Sequence, residues 1–382
     1  MKVAITQTTI GGGGRLAVIL EMIGVLNELN IEPDILTLKM YLSKKDIEKK
    51  YQRSLKFRII KVFPNIFKKL PETNILFFNL LTRIYRNKYD LFIDSSNTSC
   101  FMSNQTKILS FIYYPRIDRV LKGKSIHNID EAKIKLKTRF AIWLDHTFSR
   151  ALYKNHKIGS NINLVTISEF SKKVVIDRYQ DYRNKISIIY PPIELDSFKN
   201  NSSKNNWVST LGRFGPPKKQ LEQIEIAQKI PELEFHIMGF ADTNSKYYKD
   251  LEKHVLENKV TNVKLHPNLD FSKMIEILGK SKFFLHTIWN EPFGITTVQG
   301  IAAGCIPVVP NSGGQIEVVP QDNLRFNDYD EAVEILRDQM KISNSNQKDT
   351  LLKHIQKFDT INFRKNFRQV IEEYTNGEKN AH

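Results

Sequence analysis

Three polar side chains in the second half of the chain have types and spacing suited to a departing diphosphate: Arg213, Lys218 and Glu291. The two cations stand in Trp207–Lys219, WVSTLGRFGPPKK, where a strand is predicted to end at Gly212 and a Gly-Pro-Pro turn follows Arg213. One Arg and one Lys held at a strand's carboxyl end neutralise charge on a leaving group as it departs. A basic loop with no ligand is the alternative. Glu291 lies in Asn290–Gly314, NEPFGITTVQGIAAGCIPVVPNSGG, after a predicted strand Lys282–His286 and before a predicted helix Ile295–Ala303. The N–H groups of Gly294, Ile295 and Thr296 at that helix's start form a ready anion site. Gln299, eight residues after Glu291, shares a helix face with Ile295 and Thr296. A carboxylate and an amide on one side can bind sugar and ribose hydroxyls; ordinary helix capping by Glu291 is the alternative.

A second constellation lies near the N-terminus. Gly11–Gly14 follows the predicted strand Lys2–Thr6 and opens the predicted helix Arg15–Leu29. There the backbone of Gly12, Gly13 and Gly14 can approach a ligand closely; a flexible loop is the other reading. The run is no dinucleotide fingerprint, because Leu16 stands where the third glycine of GxGxxG belongs. Arg15 reads equally as the holder of an anionic acceptor and as a surface cation. Asp94 closes the predicted strand Tyr89–Asp94 and reads as a site residue or a strand-end cap.

The elements that must position these residues are legible as apolar runs. Strands are predicted at Asp34–Leu38, Lys107–Ile112, Leu164–Ser168, Ile186–Tyr190, Glu234–Met238, Val263–Leu265 and Cys305–Val309, with helices at Leu221–Lys229 and Phe363–Tyr374. Continuous apolar strands alternating with helices predict parallel sheets covered on both faces. Ala302-Ala303-Gly304 is expected to let its helix pack close to a sheet and stop, and Gly313-Gly314 to make a turn that approaches a ligand. The prolines and polar residues of Pro191–Asn206 mark a boundary. The expected organisation is one α/β domain over 1–192, a second over 193–360 and a terminal helix over 361–382. Two such halves facing each other make a cleft, and ligands bind outside the carboxyl ends of the strands.

Composition narrows the function classes. The chain has 382 residues, 41 % hydrophobic and 26 % charged, near the globular average, so wholesale disorder is excluded. Its two cysteines, Cys100 and Cys305, exclude a disulfide scaffold and fit a reducing compartment. The opening MKVAIT reads as a strand and predicts no signal peptide. The net charge is +16, and between Lys39 and Lys69 eleven Lys/Arg face only Asp46 and Glu48. Leu55–Leu70, LKFRIIKVFPNIFKKL, mixes those cations with Phe57, Ile59, Ile60, Phe63, Ile66 and Phe67. Such a stretch can lie on an anionic membrane surface; a solvated basic face and a nucleic-acid surface are the other readings. A second basic run spans Arg116–Lys157. Asp328-Tyr-Asp330 spells DxD after the core motifs and is expected to be chance, and His127, His146 and His156 lack zinc-pair spacing.

These motifs together resemble the retaining nucleotide-sugar glycosyltransferases of family 4, with the GT-B fold: two Rossmann-like, doubly wound α/β domains. The resemblance rests on the glycine loop, Tyr190-Pro191-Pro192, Gly212-Arg213…Lys218, Glu291-Pro-Phe-Gly-Ile-Thr and the terminal helix. A narrower likeness joins YDLFIDSS, IYYP, IWNEPFGI and PVVPNSGG to GDP-mannose-dependent mannosyltransferases that extend dolichol-linked oligosaccharides. It implies a nucleotide-sugar co-substrate, GDP-mannose with a UDP-sugar as the other donor class, no metal, and a lipid-linked or other glycan acceptor. It also implies that 1–192 is the acceptor side, that 193–360 binds the nucleotide-sugar, that the terminal helix 361–382 crosses back to the first domain, and a peripheral position on the cytoplasmic membrane face. Arg213, Lys218 and the helix N–H groups are expected to stabilise the diphosphate, and Glu291 to orient the donor sugar. Arg15, Asp94 and Tyr113 are expected on the acceptor or donor-sugar side. Two positions depart from the family pattern. Its second Glu is Gln299 here, and its frequent His near the donor sugar is Tyr113. Either change fits tuning of the donor or a degenerate binder that turns nothing over.

Overall fold

The computed structural model describes residues 1–11, 14–51, 54–62, 84–85, 88–95, 107–113, 162–178, 186–200, 202–342 and 345–379. The chain divides into two compact units: Met1–Pro192 with Ile361–His382, and Ile193–Thr360.

The first unit is built on seven strands: β1 (Val3–Thr6), β2 (Asp34–Thr37), β3 (Arg58–Lys61), β4 (Leu91–Asp94), β5 (Lys107–Ile112), β6 (Ile162–Thr166) and β7 (Ile186–Ile188). They pair in the order β3-β2-β1-β4-β5-β6-β7, every pair parallel. Strands such as Val3–Thr6 and Leu91–Asp94 are buried along their whole length, as a parallel sheet covered on both faces demands. Helix α1 (Gly14–Glu28) buries Leu16 and every residue from Val18 to Leu26. Its apolar sequence has a partner on more than one side, because the C-terminal helix packs on it. That helix, Thr360–Lys379, sends Arg364 Nη1 to Glu21 Oε2 at 2.6 Å and pairs Arg364 and Arg368 with Glu28. Its Phe363, Phe367, Ile371 and Tyr374 are buried at helical spacing. Helix α2 (Lys44–Tyr51) and helix α3 (Glu169–Arg178) complete the described helices of this unit.

The second unit repeats the scheme. Its strands are β8 (Asn205–Leu211), β9 (Glu234–Gly239), β10 (Val263–Pro267), β11 (Ser281–Leu285), β12 (Ile306–Pro310) and β13 (Arg325–Phe326). Their order is β10-β9-β8-β11-β12-β13, again all parallel. The helices are α4 (Gln220–Gln228), α5 (Lys246–Glu257), α6 (Phe271–Lys280), α7 (Ile295–Ala302), α8 (Gln315–Val318), α9 (Tyr329–Lys341) and α10 (Ser345–Ile355), and Thr360–Lys379 becomes α11. Helix α7 lies close on the sheet at Gly300, where a Cβ would meet Phe284 at 2.5 Å. It ends in a Schellman motif: Cys305 N–H donates to Gly300 O at 3.0 Å, Gly304 N–H to Ile301 O at 2.8 Å, and Gly304 has φ +81°. The close approach is therefore at Gly300, while the stop is at Gly304.

In both units the strand order reverses between the first and fourth strands, β1/β4 and β8/β11. In such sheets the crevice outside the carboxyl ends at that reversal is where ligands bind. Elements the sequence reading left unassigned include α2, α5, α6, α9 and α10. One further element lies in a stretch given no secondary structure from the sequence. Arg58–Lys61, part of the basic amphipathic segment, is an edge strand of the first sheet, paired with Asp34–Thr37. Phe57 and Val62 are buried, 2 % and 7 % exposed, so their apolar surface is spent on this unit's own core. Residues 63–70, the run Arg116–Lys157 and the three histidines lie outside the described residues. None of the described helices is long and apolar enough to cross a membrane.

Candidate active site

The second unit brings its two motifs together at the strand reversal. Strand β8 delivers Gly212 and Arg213 at its carboxyl end, and β11 delivers His286 through Glu291 at the neighbouring carboxyl end. Lys218 Nζ lies 3.7 Å from Glu291 Oε2, with both side chains partly open to solvent. Arg213 is exposed, and its guanidinium has no salt bridge among the described residues. Two cations and one carboxylate thus share the mouth of this crevice. The carboxylate balances Lys218 and leaves the Arg213 charge unspent.

Two glutamines of α4 hold the Arg213–Lys218 turn in place. Gln220, 2 % exposed, donates to Arg213 O at 3.1 Å and accepts from Gly215 N–H at 3.3 Å. Tyr247 Oη donates to the same Gln220 Oε1 at 2.9 Å. Gln223, 6 % exposed, accepts from Thr210 Oγ1 at 2.9 Å and donates to Lys218 O at 3.3 Å and Thr287 Oγ1 at 3.0 Å. It therefore ties β8, the turn and the end of β11 into one unit. Neither glutamine was singled out from the sequence. A Gln on a helix reads as a solvent-facing residue, and only the tertiary contacts reveal the bridge. Phe240, at the carboxyl end of β9, is 68 % exposed, and its carbonyl takes the Phe214 N–H at 2.8 Å. It too was not singled out.

Helix α7 starts beside Glu291. Gly294 is its N-cap with φ +119°, a conformation that side chains other than glycine's rarely adopt. The Gly294 carbonyl accepts from Thr297 N–H at 3.0 Å and Val298 N–H at 3.1 Å, while the N–H groups of Ile295 and Thr296 form the first turn. Gln299 lies one turn along from Ile295, half-buried. The Gly313-Gly314 turn packs against the Glu291 loop: a Cβ at Gly313 would meet Glu291 O at 2.6 Å, and one at Gly314 would meet Phe293 Cα at 2.5 Å. Gly314 N–H also donates to Glu291 O at 2.8 Å. The turn expected to approach a ligand seats the backbone that carries Glu291.

His286, 5 % exposed, sits at the end of β11 with Nε2 buried and unpaired among the described residues. Burial, reinforced by the Lys218 charge, pushes its imidazole down to about 3, so it is neutral at ordinary pH. Asp328 and Asp330, the chance DxD, have structural uses: Asp328 caps α9 by accepting Glu331 N–H at 2.9 Å, and Asp330 pairs with Lys229. Among the described residues no group of three or more His, Cys, Asp or Glu is gathered to hold a metal ion.

The first unit has its own cluster at its strand reversal. Thr6 Oγ1 donates to Asp94 Oδ1 at 2.8 Å, joining β1 to β4, and Asp94 is fully buried. Ser95 Oγ and Tyr113 Oη are 2.8 Å apart, and the Arg15 guanidinium stands 5.6 Å from the Tyr113 ring centroid. Burial pushes the Tyr113 phenol up to about 12, which makes it a hydrogen-bonding group rather than a base. Arg15, Asp94 and Tyr113 are thus gathered in one place. Gly14 opens α1 and is exposed, whereas Gly12 and Gly13 lie outside the described residues.

The fold and this site define a class. Residues 192–351, nearly the whole of the second unit, match the family model described as Glycosyl transferases group 1. The chain as a whole has the GT-B fold of solved glycosyltransferases. WaaG, a glycosyltransferase involved in lipopolysaccharide biosynthesis, superposes with a TM-score of 0.70 at 13 % identity over 97 % of this chain and 99 % of its own. Anabaena HepE in complex with UDP-glucose superposes with a TM-score of 0.67 at 15 % identity over 98 % and 100 %. Among curated relatives, the chain is similar to the GDP-Man:Man(3)GlcNAc(2)-PP-Dol alpha-1,2-mannosyltransferase of Candida albicans. Identity there is 24 % over 272 residues, 62 % of this chain and 44 % of the relative. The Xenopus laevis protein of the same name is 29 % identical over 148 residues, 34 % of this chain and 30 % of that one. The matches span less than half the length of these curated relatives.

Proposed function

We propose that this chain is a retaining hexosyltransferase, moving mannose from GDP-mannose to a lipid-linked glycan. The observation that carries the transferase reading is the meeting of Lys218 and Glu291 at 3.7 Å beside an unpaired Arg213, outside the carboxyl ends of β8 and β11. The mannose and the lipid-linked acceptor rest on similarity to relatives whose names specify GDP-Man and a dolichol-linked glycan.

The chemistry follows from the charges. Arg213, Lys218 and the N–H groups opening α7 offset the negative charge that grows on the diphosphate as the bond from the sugar's anomeric carbon to the phosphate oxygen lengthens. Glu291 holds sugar hydroxyls and aims that carbon. The acceptor hydroxyl attacks from the face the diphosphate leaves, its oxygen bonds to the anomeric carbon, and its proton passes to a diphosphate oxygen. Configuration is retained without a glycosyl-enzyme bond. Gln299 binds the ribose by amide hydrogen bonds, and Phe240 offers a face for the base. Arg15, Asp94 and Tyr113 are assigned to the acceptor side. The exposed lysines of the first unit draw the protein to an anionic membrane by charge, since Phe57 and Val62 are buried.

The test is a thermal-shift panel of GDP, UDP, ADP and CMP. A ligand of the folded state raises its unfolding temperature by mass action. Stabilisation by GDP is expected. UDP alone would keep the reaction and replace the donor. No response at millimolar ligand would overturn the transferase reading and favour the degenerate or nucleic-acid-binding alternatives.

A further inference from the structure

Three consecutive residues line the back of the Glu291 loop. Gly313 lies against Asn290 and Glu291, Gly314 against Pro292 and Phe293, and Gln315 against Gly294. Of these three residues Gln315 alone has a polar side chain, beside Ser312, whose Oγ accepts from Asn290 N–H at 3.0 Å. Gln315 is fully buried, and neither its Nε2 nor its Oε1 has a hydrogen-bond partner among the described residues. A Cβ placed on Gly294 would sit 2.7 Å from that Nε2 and 2.9 Å from that Oε1, so the amide lies directly on the N-cap of α7. An amide buried with donor and acceptor both unspent is costly.

We propose that Gln315 is a positioning residue for the donor. Seating of a nucleotide-sugar at the start of α7 turns the Asn290–Gly294 backbone, which already lies on the amide, into hydrogen-bonding register with it. Its hydrogen bonds then form to the loop backbone, and Glu291 is fixed in its working position. The free-energy cost of the unpaired amide is released as those bonds form, which couples sugar binding to the aim of the carboxylate. The small residues Gly313 and Gly314 let the strap follow the loop, and Gln315 registers where the loop ends. This rests on the nucleotide-sugar reading above and adds to it a residue that acts through the loop, without touching the sugar.

The test is Gln315→Met, which keeps length and shape but removes both hydrogen-bonding atoms. Ligand-free Gln315→Met is expected to unfold at the wild-type temperature or above it, because an unpaired buried amide has been removed. Its KM for the nucleotide-sugar is expected to rise about tenfold, equivalent to about 1.4 kcal/mol. Affinity for the nucleoside diphosphate alone should stay within about twofold. A ligand-free variant that unfolds well below wild type with an unchanged KM would make Gln315 a structural residue and overturn the proposal. So would unchanged kinetics throughout. Should the variant not fold, the Gln315 side-chain amide signal of wild-type protein labelled with 15N-glutamine decides. It should shift and exchange more slowly with nucleotide-sugar but not with nucleoside diphosphate, and an indifferent signal overturns the proposal. If wild type itself responds to no nucleotide-sugar, the transferase reading fails and this proposal falls with it. If wild type responds and Gln315→Met responds equally, the proposal alone fails.

Discussion

Glu291→Gln separates a residue that works from one that merely holds the fold. Its carboxylate pairs with Lys218 at 3.7 Å, a distance at which the gross attraction is ~1 kcal/mol in water and ~4 kcal/mol at an effective dielectric constant of 20. Both side chains reach solvent, Lys218 at 37 % and Glu291 at 24 % exposure, so the net contribution to folding is ~0–1 kcal/mol. For a unit of this size that is a shift of about 2–4 °C at most. Catalysis stands differently. A group that orients the sugar and meets charge only as it develops is worth about 3–4 kcal/mol, or ~10²–10³ in turnover. Diphosphate affinity should hold or rise slightly, because a carboxylate near the phosphate has been neutralised and Lys218 released. The assay is nucleoside-diphosphate release under saturating donor, beside calorimetric titration of the diphosphate and a melting curve. Loss of affinity as large as the loss of turnover, or a melting point lowered by ~8 °C or more, would refute the assignment.

Arg213→Ala should weaken nucleoside-diphosphate binding roughly 10–100-fold by titration, with little change in melting, because the exposed guanidinium makes a charge-assisted bond only to ligand. Gln223→Leu should cost about 2–3 kcal/mol in chemical denaturation, since two buried hydroxyls, Thr210 and Thr287, and the part-buried Lys218 carbonyl lose their hydrogen bonds together. Acidification should destabilise the second unit. His286 and His236 are pushed down by burial to about 3 and about 4, while in the unfolded chain they take up protons near pH 6.5. Their contribution is therefore present above pH 6.5 and lost progressively as pH falls toward 4. The melting temperature of His286→Phe should fall less steeply over that window than that of wild type. Neutralising the exposed Lys39, Lys45, Lys49 and Lys61 should lower binding to anionic vesicles by an order of magnitude or more at low salt, and little at high salt. Unchanged vesicle binding would count against the charge-driven membrane reading.

The strands that carry the site were readable because parallel strands covered on both faces are continuous apolar runs, as in Leu91–Asp94 and Ile306–Pro310. Edge strands lack that mark. Arg58-Ile59-Ile60-Lys61 is exposed at both ends and half-buried between, so its composition resembles a basic amphipathic surface segment. The motif residues Arg213, Lys218 and Glu291 were legible as residue types beside turns. Their meeting was expected from the family resemblance and not from the residues themselves, because it follows from strand order: β8 pairs with β11, across 69 intervening residues, rather than with the strand that comes next after β9. The supports of the site were hidden for the same reason. Gln220 and Gln223 look like solvent-facing helix residues until the turn and β11 close over them. Gly313 and Gly314 look like an open loop until Asn290–Phe293 fills the space beside them.

The most direct measurement of the central claim is release of nucleoside diphosphate from GDP-mannose by the wild-type chain and by Glu291→Gln, with and without a lipid-linked mannosyl acceptor. The account predicts acceptor-stimulated release by wild type, retention of the α-configuration in the product, and a fall of ~10² or more in Glu291→Gln with diphosphate binding intact. Absence of release from GDP-mannose and from UDP-sugars alike, or equal release by both proteins, would contradict it.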